Sequence, residues 1–216
     1  IEAQWKALPN YVEGENNVLV IADVSGSMSG RPMDTSVGLA IYFAERNKGY
    51  FKDLYMTFAD RPNLIILNPN NTLARKIYDT MRRDTGYSTN LEKAFLKVLE
   101  VAVNNKLSNE EMPKALVVIS DMEIDKYMRS SNASYWDFIN EMESKFTNAG
   151  YELPKIILWN VEARKDTFLT ANHPKVNFVS GQSASTFKTV LDTIELNAYD
   201  AMLKTLNDPM YDCVKI

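Results

Sequence analysis

Residues 17–23 and 115–121 constrain this chain most: each is a nearly unbroken run of aliphatic, largely β-branched side chains that stops on an aspartate, Asp23 or Asp121. A run with no polar side to turn toward water reads as a strand covered on both faces, the kind found in parallel sheets layered between helices. What lies between the runs has helical spacing. Pro32 suits a first helical position, and Met33, Val37, Ile41 and Ala44 continue the pattern until Gly49 stops it. Leu91, Ala94, Phe95, Val98, Leu99 and Ala102 fit the i, i+3, i+4, i+7 template most fully. Ser134 with Asp137 resembles a capping box opening a helix through Trp136, Ile139, Met142 and Phe146 to Gly150, and a last helical stretch carries Phe187, Val190, Leu191 and Ile194.

Residues 155–159 and 176–179 read as two further strands, and 50–58 and 64–67 as a pair joined by a turn at 60–63, near enough to form an antiparallel hairpin at a sheet edge. Strands alternating with helices of this length imply right-handed βαβ crossovers. The expected fold is therefore α/β and doubly wound, with a mainly parallel central sheet, one antiparallel edge strand and helices on both faces. In such sheets the working loops lie at the carboxyl ends of the strands, where both Asp23 and Asp121 fall.

At 216 residues the chain is long enough for one domain with a substantial core. It begins at Ile1 without a methionine, so residues 1–16 read as a lead-in from a longer protein, 17–204 as the domain and 205–216 as a tail. The net charge of −4 supplies no global basic field for holding a polyanion. A single cysteine, Cys213, cannot form an internal disulfide, which suits a reducing, cytoplasmic setting. No apolar run approaches the ~20 residues that cross a bilayer, so no membrane role is expected.

Asp23, Ser25 and Ser27 place oxygen-bearing side chains on alternate residues, and an extended or gently turning loop points them to one side. Oxygen donors with one or two carboxylates suit a hard cation such as Mg²⁺ or Mn²⁺. By itself the triplet reads equally well as an ordinary serine loop with a cap for the next helix. Two features favour the cation: hydroxyls at Tyr87, Ser88 and Thr89 immediately before the most regular helix, and Asp121 at the end of a second buried strand.

The D-x-S-x-S at Asp23, Ser25 and Ser27, Thr89 within 86–90, and the strand-ending Asp121 resemble the three loops of the metal-ion-dependent adhesion site in von Willebrand factor A domains. The resemblance runs from about residue 17 to 203, nearly the whole chain. It implies a Rossmann-like A-domain fold in which Ser25, Ser27 and Thr89 ligate Mg²⁺ or Mn²⁺ through hydroxyls, while Asp23 and Asp121 hold it largely through water. Ca²⁺ fits less well. It also implies a non-enzymatic, intracellular interaction module whose protein partner supplies a carboxylate to the open position of the ion.

Within that superfamily, residues 119–123 and the closing 208–212 resemble the A domains of TROVE (Ro-like) proteins, and still more a related uncharacterised family of bacteria, plants and large viruses. That likeness implies an alternative role as a module of a ribonucleoprotein assembly, with RNA handled mainly by regions outside this chain. Asn90 departs from the aspartate or small polar residue common after the loop-two threonine, and suits a helix cap instead. A third reading is a metal-dependent hydrolase, for which only Glu123 or Asp125 stands near enough in sequence to serve as base.

Other chemistry is poorly supported. Phosphate-binding glycine loops and a nucleophile elbow are missing. The lone His173 reads as a surface loop residue and leaves little room for a serine–histidine mechanism. Arg75, Lys76, Arg82 and Arg83, interleaved with Asp79 and Asp84, read as the solvated face of a helix rather than a nucleic-acid patch.

Overall fold

The computed structural model describes residues 1–12, 17–58, 62–83, 90–122, 135–162 and 173–213. In chain order its elements are α1 (Glu2–Lys6), β1 (Val18–Asp23), α2 (Arg31–Arg46), β2 (Leu54–Phe58), β3 (Asn63–Ile66), α3 (Leu73–Arg83), α4 (Leu91–Asn105), β4 (Ala115–Ser120), α5 (Tyr135–Asn148), β5 (Lys155–Asn160), β6 (Val176–Ser180), α6 (Ala184–Glu195) and α7 (Ala198–Leu206). Short 3₁₀ turns occupy Gly26–Met28, Gly49–Phe51, Asn109–Glu111 and Pro209–Tyr211.

Apolar side chains on both faces leave β1 and β4 only the middle of a sheet, and there they lie, adjacent and parallel, with Val18 opposite Ala115 and Ala22 opposite Ile119. The six strands run β3-β2-β1-β4-β5-β6, and only β3 is antiparallel to its neighbour. Alternation along β1 then sorts the core. Val18, Val20 and Ala22 join α2 and α6 on one face through Val37, Ile41, Phe43, Val190 and Ile194. Leu19 and Ile21 join α4 and α5 on the other through Phe95, Val98, Ile139, Met142 and Phe146. The fold is thus the expected α/β sandwich, with the strand order reversing direction between β1 and β4.

Three sequence expectations need correcting. The strand expected over 50–58 begins only at Leu54: Gly49 and Asp53 both have positive φ, 66° and 59°, and the chain between them curls into a 3₁₀ turn that buries Phe51 beneath the sheet. The helix expected to run to Gly49 ends at Arg46, because Asn47 turns out of it, accepts the Val18 N–H at 3.0 Å and donates to the Val18 carbonyl at 2.6 Å. The basic residues of α3 are not a uniformly solvated face, since Lys76 is 6% exposed and its ammonium lies 2.7 Å from Glu45 of α2. Asn90 does cap α4, accepting the Lys93 N–H at 2.9 Å. The expected start of α5 at Ser134 lies outside the described residues.

Residues 1–12 pack against the domain. Trp5 donates through Nε1 to Glu45 at 2.9 Å, the Tyr11 N–H reaches Tyr42 Oη at 2.9 Å, and the Glu2 carboxylate accepts the Leu73 N–H at the start of α3. No described helix is long and apolar enough to cross a membrane.

Candidate metal centre

Because β1 and β4 are parallel neighbours, their carboxyl ends deliver Asp23 and Asp121 to the same edge of the sheet, where the strand order reverses. Both are buried, at 1% and 4% exposure. Asp23 is held from two sides. One carboxylate oxygen accepts the Ser25 N–H at 2.9 Å, closing a tight turn, and the other accepts the Ser120 hydroxyl at 2.5 Å from across the strand pair. Burial pushes the Asp23 carboxyl above the usual aspartate range, the nearby Asp121 adds to that push, and the hydrogen bonds from Ser120 and Ser25 oppose it.

Ser25 and Ser27 converge for a different reason from the alternation of an extended loop. Ser25 is extended, at φ −66° and ψ 162°, and the chain then closes a 3₁₀ turn over Gly26–Met28 that swings Ser27 back toward it. The two hydroxyls hydrogen-bond to each other, their oxygens 3.1 Å apart. Ser25 is buried and Ser27 half-buried, so the pair opens toward solvent at one side. Gly30 follows at φ 90° and ψ −140°, a conformation that a side chain resists, and lets the loop drop into α2.

Two residues not singled out in the sequence complete the frame. Ser120, fully buried, both donates to Asp23 and accepts the Met122 N–H at 3.0 Å, tying the first loop to the third. Met122 has a φ of 61°, uncommon for a side chain of this size, and this bond supports its turn. Met28, also fully buried, accepts the Asp121 N–H on its sulfur at 3.2 Å and so props the third loop from beneath. The Ser-Asp pair closing an apolar strand was the only sequence signal for Ser120. Met28 gave none. Thr89, Glu123 and Asp125 lie outside the described residues.

The donors fit a small hard cation. Among the described residues no three His, Cys, Asp or Glu side chains come together to hold a metal; the oxygen donors at this edge are the Asp23 and Asp121 carboxylates and the Ser25 and Ser27 hydroxyls. Neighbouring ligands of an octahedral Mg²⁺, with bonds of about 2.1 Å, lie about 3 Å apart. The Ser25–Ser27 oxygen separation matches that edge.

Residues 17–210 match the family described as a domain of unknown function, DUF7788. The chain belongs to that family. An uncharacterised protein of Acanthamoeba polyphaga mimivirus is 33% identical over 211 residues, covering 95% of this chain and 36% of its own length. The chain thus spans about a third of that relative. Among solved structures, the Deinococcus radiodurans Ro (RSR) protein matches with a TM-score of 0.56 and 17% identity, over 83% of this chain and 34% of that one. At that identity the likeness establishes the fold of this DUF7788 member and nothing beyond it.

Proposed function

We propose that this DUF7788 domain is a Mg²⁺- or Mn²⁺-dependent interaction module that captures an acidic group of a protein partner. The observation that carries the reading is the pair of hydroxyls, Ser25 and Ser27, set one octahedral edge apart beside two buried carboxylates at the reversal point of the sheet. A bound ion supplies a positive charge with a ligand position open to a carboxylate from outside the chain.

The chain's own residues set up that position. Ser25 and Ser27 offer neutral oxygens, which leave the ion more electrophilic than carboxylates would. The hydrogen bonds from the Ser25 N–H and the Ser120 hydroxyl fix the orientation of the Asp23 carboxyl. Met28 and Ser120 hold the third loop, and with it Asp121, against the first. Thr89, by the A-domain resemblance, adds a third hydroxyl. Preorganisation of this kind strengthens capture because little ordering remains to be done when the partner arrives.

Crystals grown with Mg²⁺ and an excess of a small dicarboxylate test the reading. The expected result is an octahedral ion ligated by the Ser25 and Ser27 hydroxyls, with one oxygen from the added carboxylate. An ion found only elsewhere, or a carboxylate that ignores it, contradicts the reading.

A further inference from the structure

Helix α3 is packed the wrong way round for a helix that ends in water. Its inward stripe is Leu73, Lys76 and Thr80, all buried, of which two are polar. Its outward stripe holds Ile77, Tyr78 and Met81, exposed at 37%, 49% and 44%. An ordinary surface helix turns its apolar stripe to the core.

The inward side cannot be exchanged for the outward one. Lys76 is tied to Glu45, and Thr80 hydrogen-bonds to the hydroxyl of Tyr55 and donates to the Lys76 carbonyl at 2.8 Å. Turning α3 over would break the ion pair of the buried Lys76 with Glu45 and the hydrogen bond of the buried Thr80 to Tyr55. Clustered apolar residues in water mark an interaction surface more often than isolated ones do.

The charge around the stripe selects the partner. On its solvent side α3 carries Arg75 and Arg82, with Asp79 3.0 Å from Arg75 in an exposed pair weak enough to give way to a partner's carboxylate, in a chain whose net charge is −4. The two arginines frame the stripe: the Arg75 and Arg82 guanidiniums lie 5.5 Å and 5.4 Å from the centre of the Tyr78 ring. An aromatic ring between two arginines, with aliphatic side chains beside it, offers apolar contact and charge-assisted hydrogen bonds to carboxylates together. Ile77 and Met81 have nothing to give a phosphate backbone, so a nucleic acid leaves half of the surface unused.

We infer that the outward face of α3 is a docking surface for an acidic, apolar segment of a protein partner. Segments with leucine, methionine or aromatic residues flanked by Asp or Glu would seat on it. The surface extends the proposed function, since α3 ends six residues before Thr89 in sequence, yet it stands on α3 alone. Cation-dependent capture can fail while α3 docking holds, and the converse.

Selection of random displayed peptides on the whole chain in EDTA separates the two. The expected consensus is acidic residues flanking apolar or aromatic ones. In anisotropy titrations, selected peptides should lose at least about tenfold in affinity to I77S/M81S and to R75E/R82E, while a Ser25→Ala/Ser27→Ala variant binds them unchanged. Melting temperatures no lower than that of the parent chain would show that the α3 variants fold. Peptides without acidic residues, binding undiminished in both α3 variants, or a preference of the same face for oligouridylate or anionic vesicles over the peptides would each overturn the inference.

Discussion

Asp23 is buried among serines and faces a second carboxylate, so its ionised form is costly while no cation balances it. Its folded pKa lies above its unfolded one. The stability this group contributes is therefore complete below the unfolded value, near the ordinary aspartate pKa, and is lost as pH rises through the folded value. On the proposed reading a cation would compete with the proton for the same carboxylate. Stabilisation by Mg²⁺ should consequently grow across that window, and thermal melts at stepped pH, with Mg²⁺ or EDTA, measure it. In Asp23→Asn the metal-free protein should melt higher than the parent at neutral pH, and Mg²⁺ should no longer raise the melting temperature. The carboxyls whose pKa values are lowered, Glu2, Glu110 and Asp208, act in the opposite sense but are common to both proteins, so the difference between the two pH curves isolates Asp23. A second residue test concerns Ser120. Ser120→Ala removes the donor to Asp23 and the acceptor for the Met122 N–H at a site closed to water, and should cost about 2 kcal/mol by urea unfolding. The aspartates and serines were legible because their types and order were distinctive; Ser120 and Met28 were hidden because their roles exist only once β1 and β4 lie side by side.

At the scale of elements, what the sequence revealed depended on how local the reason was. α4 has its apolar stripe and its Asn90 cap within one stretch of chain, and both are as expected. The 3₁₀ turn before β2 was missed because β-favouring Tyr50 and Phe51 outweigh, in a reading by composition, the positive φ that Asp53 adopts. α3 was misjudged because the partner that allows Lys76 inside, Glu45, is 31 residues away on α2. That pair is also shared, since the other oxygen of Glu45 takes the Trp5 indole N–H and so couples α1, α2 and α3. Glu45→Ala leaves a buried ammonium without its carboxylate and should destabilise the domain by about 3 kcal/mol in denaturant titrations. Glu45→Ala combined with Lys76→Met should recover most of that loss, because the uncompensated charge goes with the ammonium. A double variant as unstable as the single one would mean that the Trp5 contact, not the ion pair, carries the stability.

Across the whole molecule, one arrangement connects fold to function. Two central parallel strands, each closed by an aspartate, meet where the sheet order reverses, and their ends bring two buried carboxylates to the same edge as the Ser25 and Ser27 hydroxyls. The architecture was legible because buried parallel strands have so few alternatives, whereas an exposed face such as the outward side of α3 follows no comparable pattern. Calorimetric titration of Mg²⁺ into the metal-free chain, beside Ser25→Ala/Ser27→Ala and Asp121→Ala variants that keep the parent circular dichroism, tests the central claim most directly. One saturable site in the parent, lost in both variants, is the expected result; no heat of binding in the parent, or the same isotherm in all three, would contradict it.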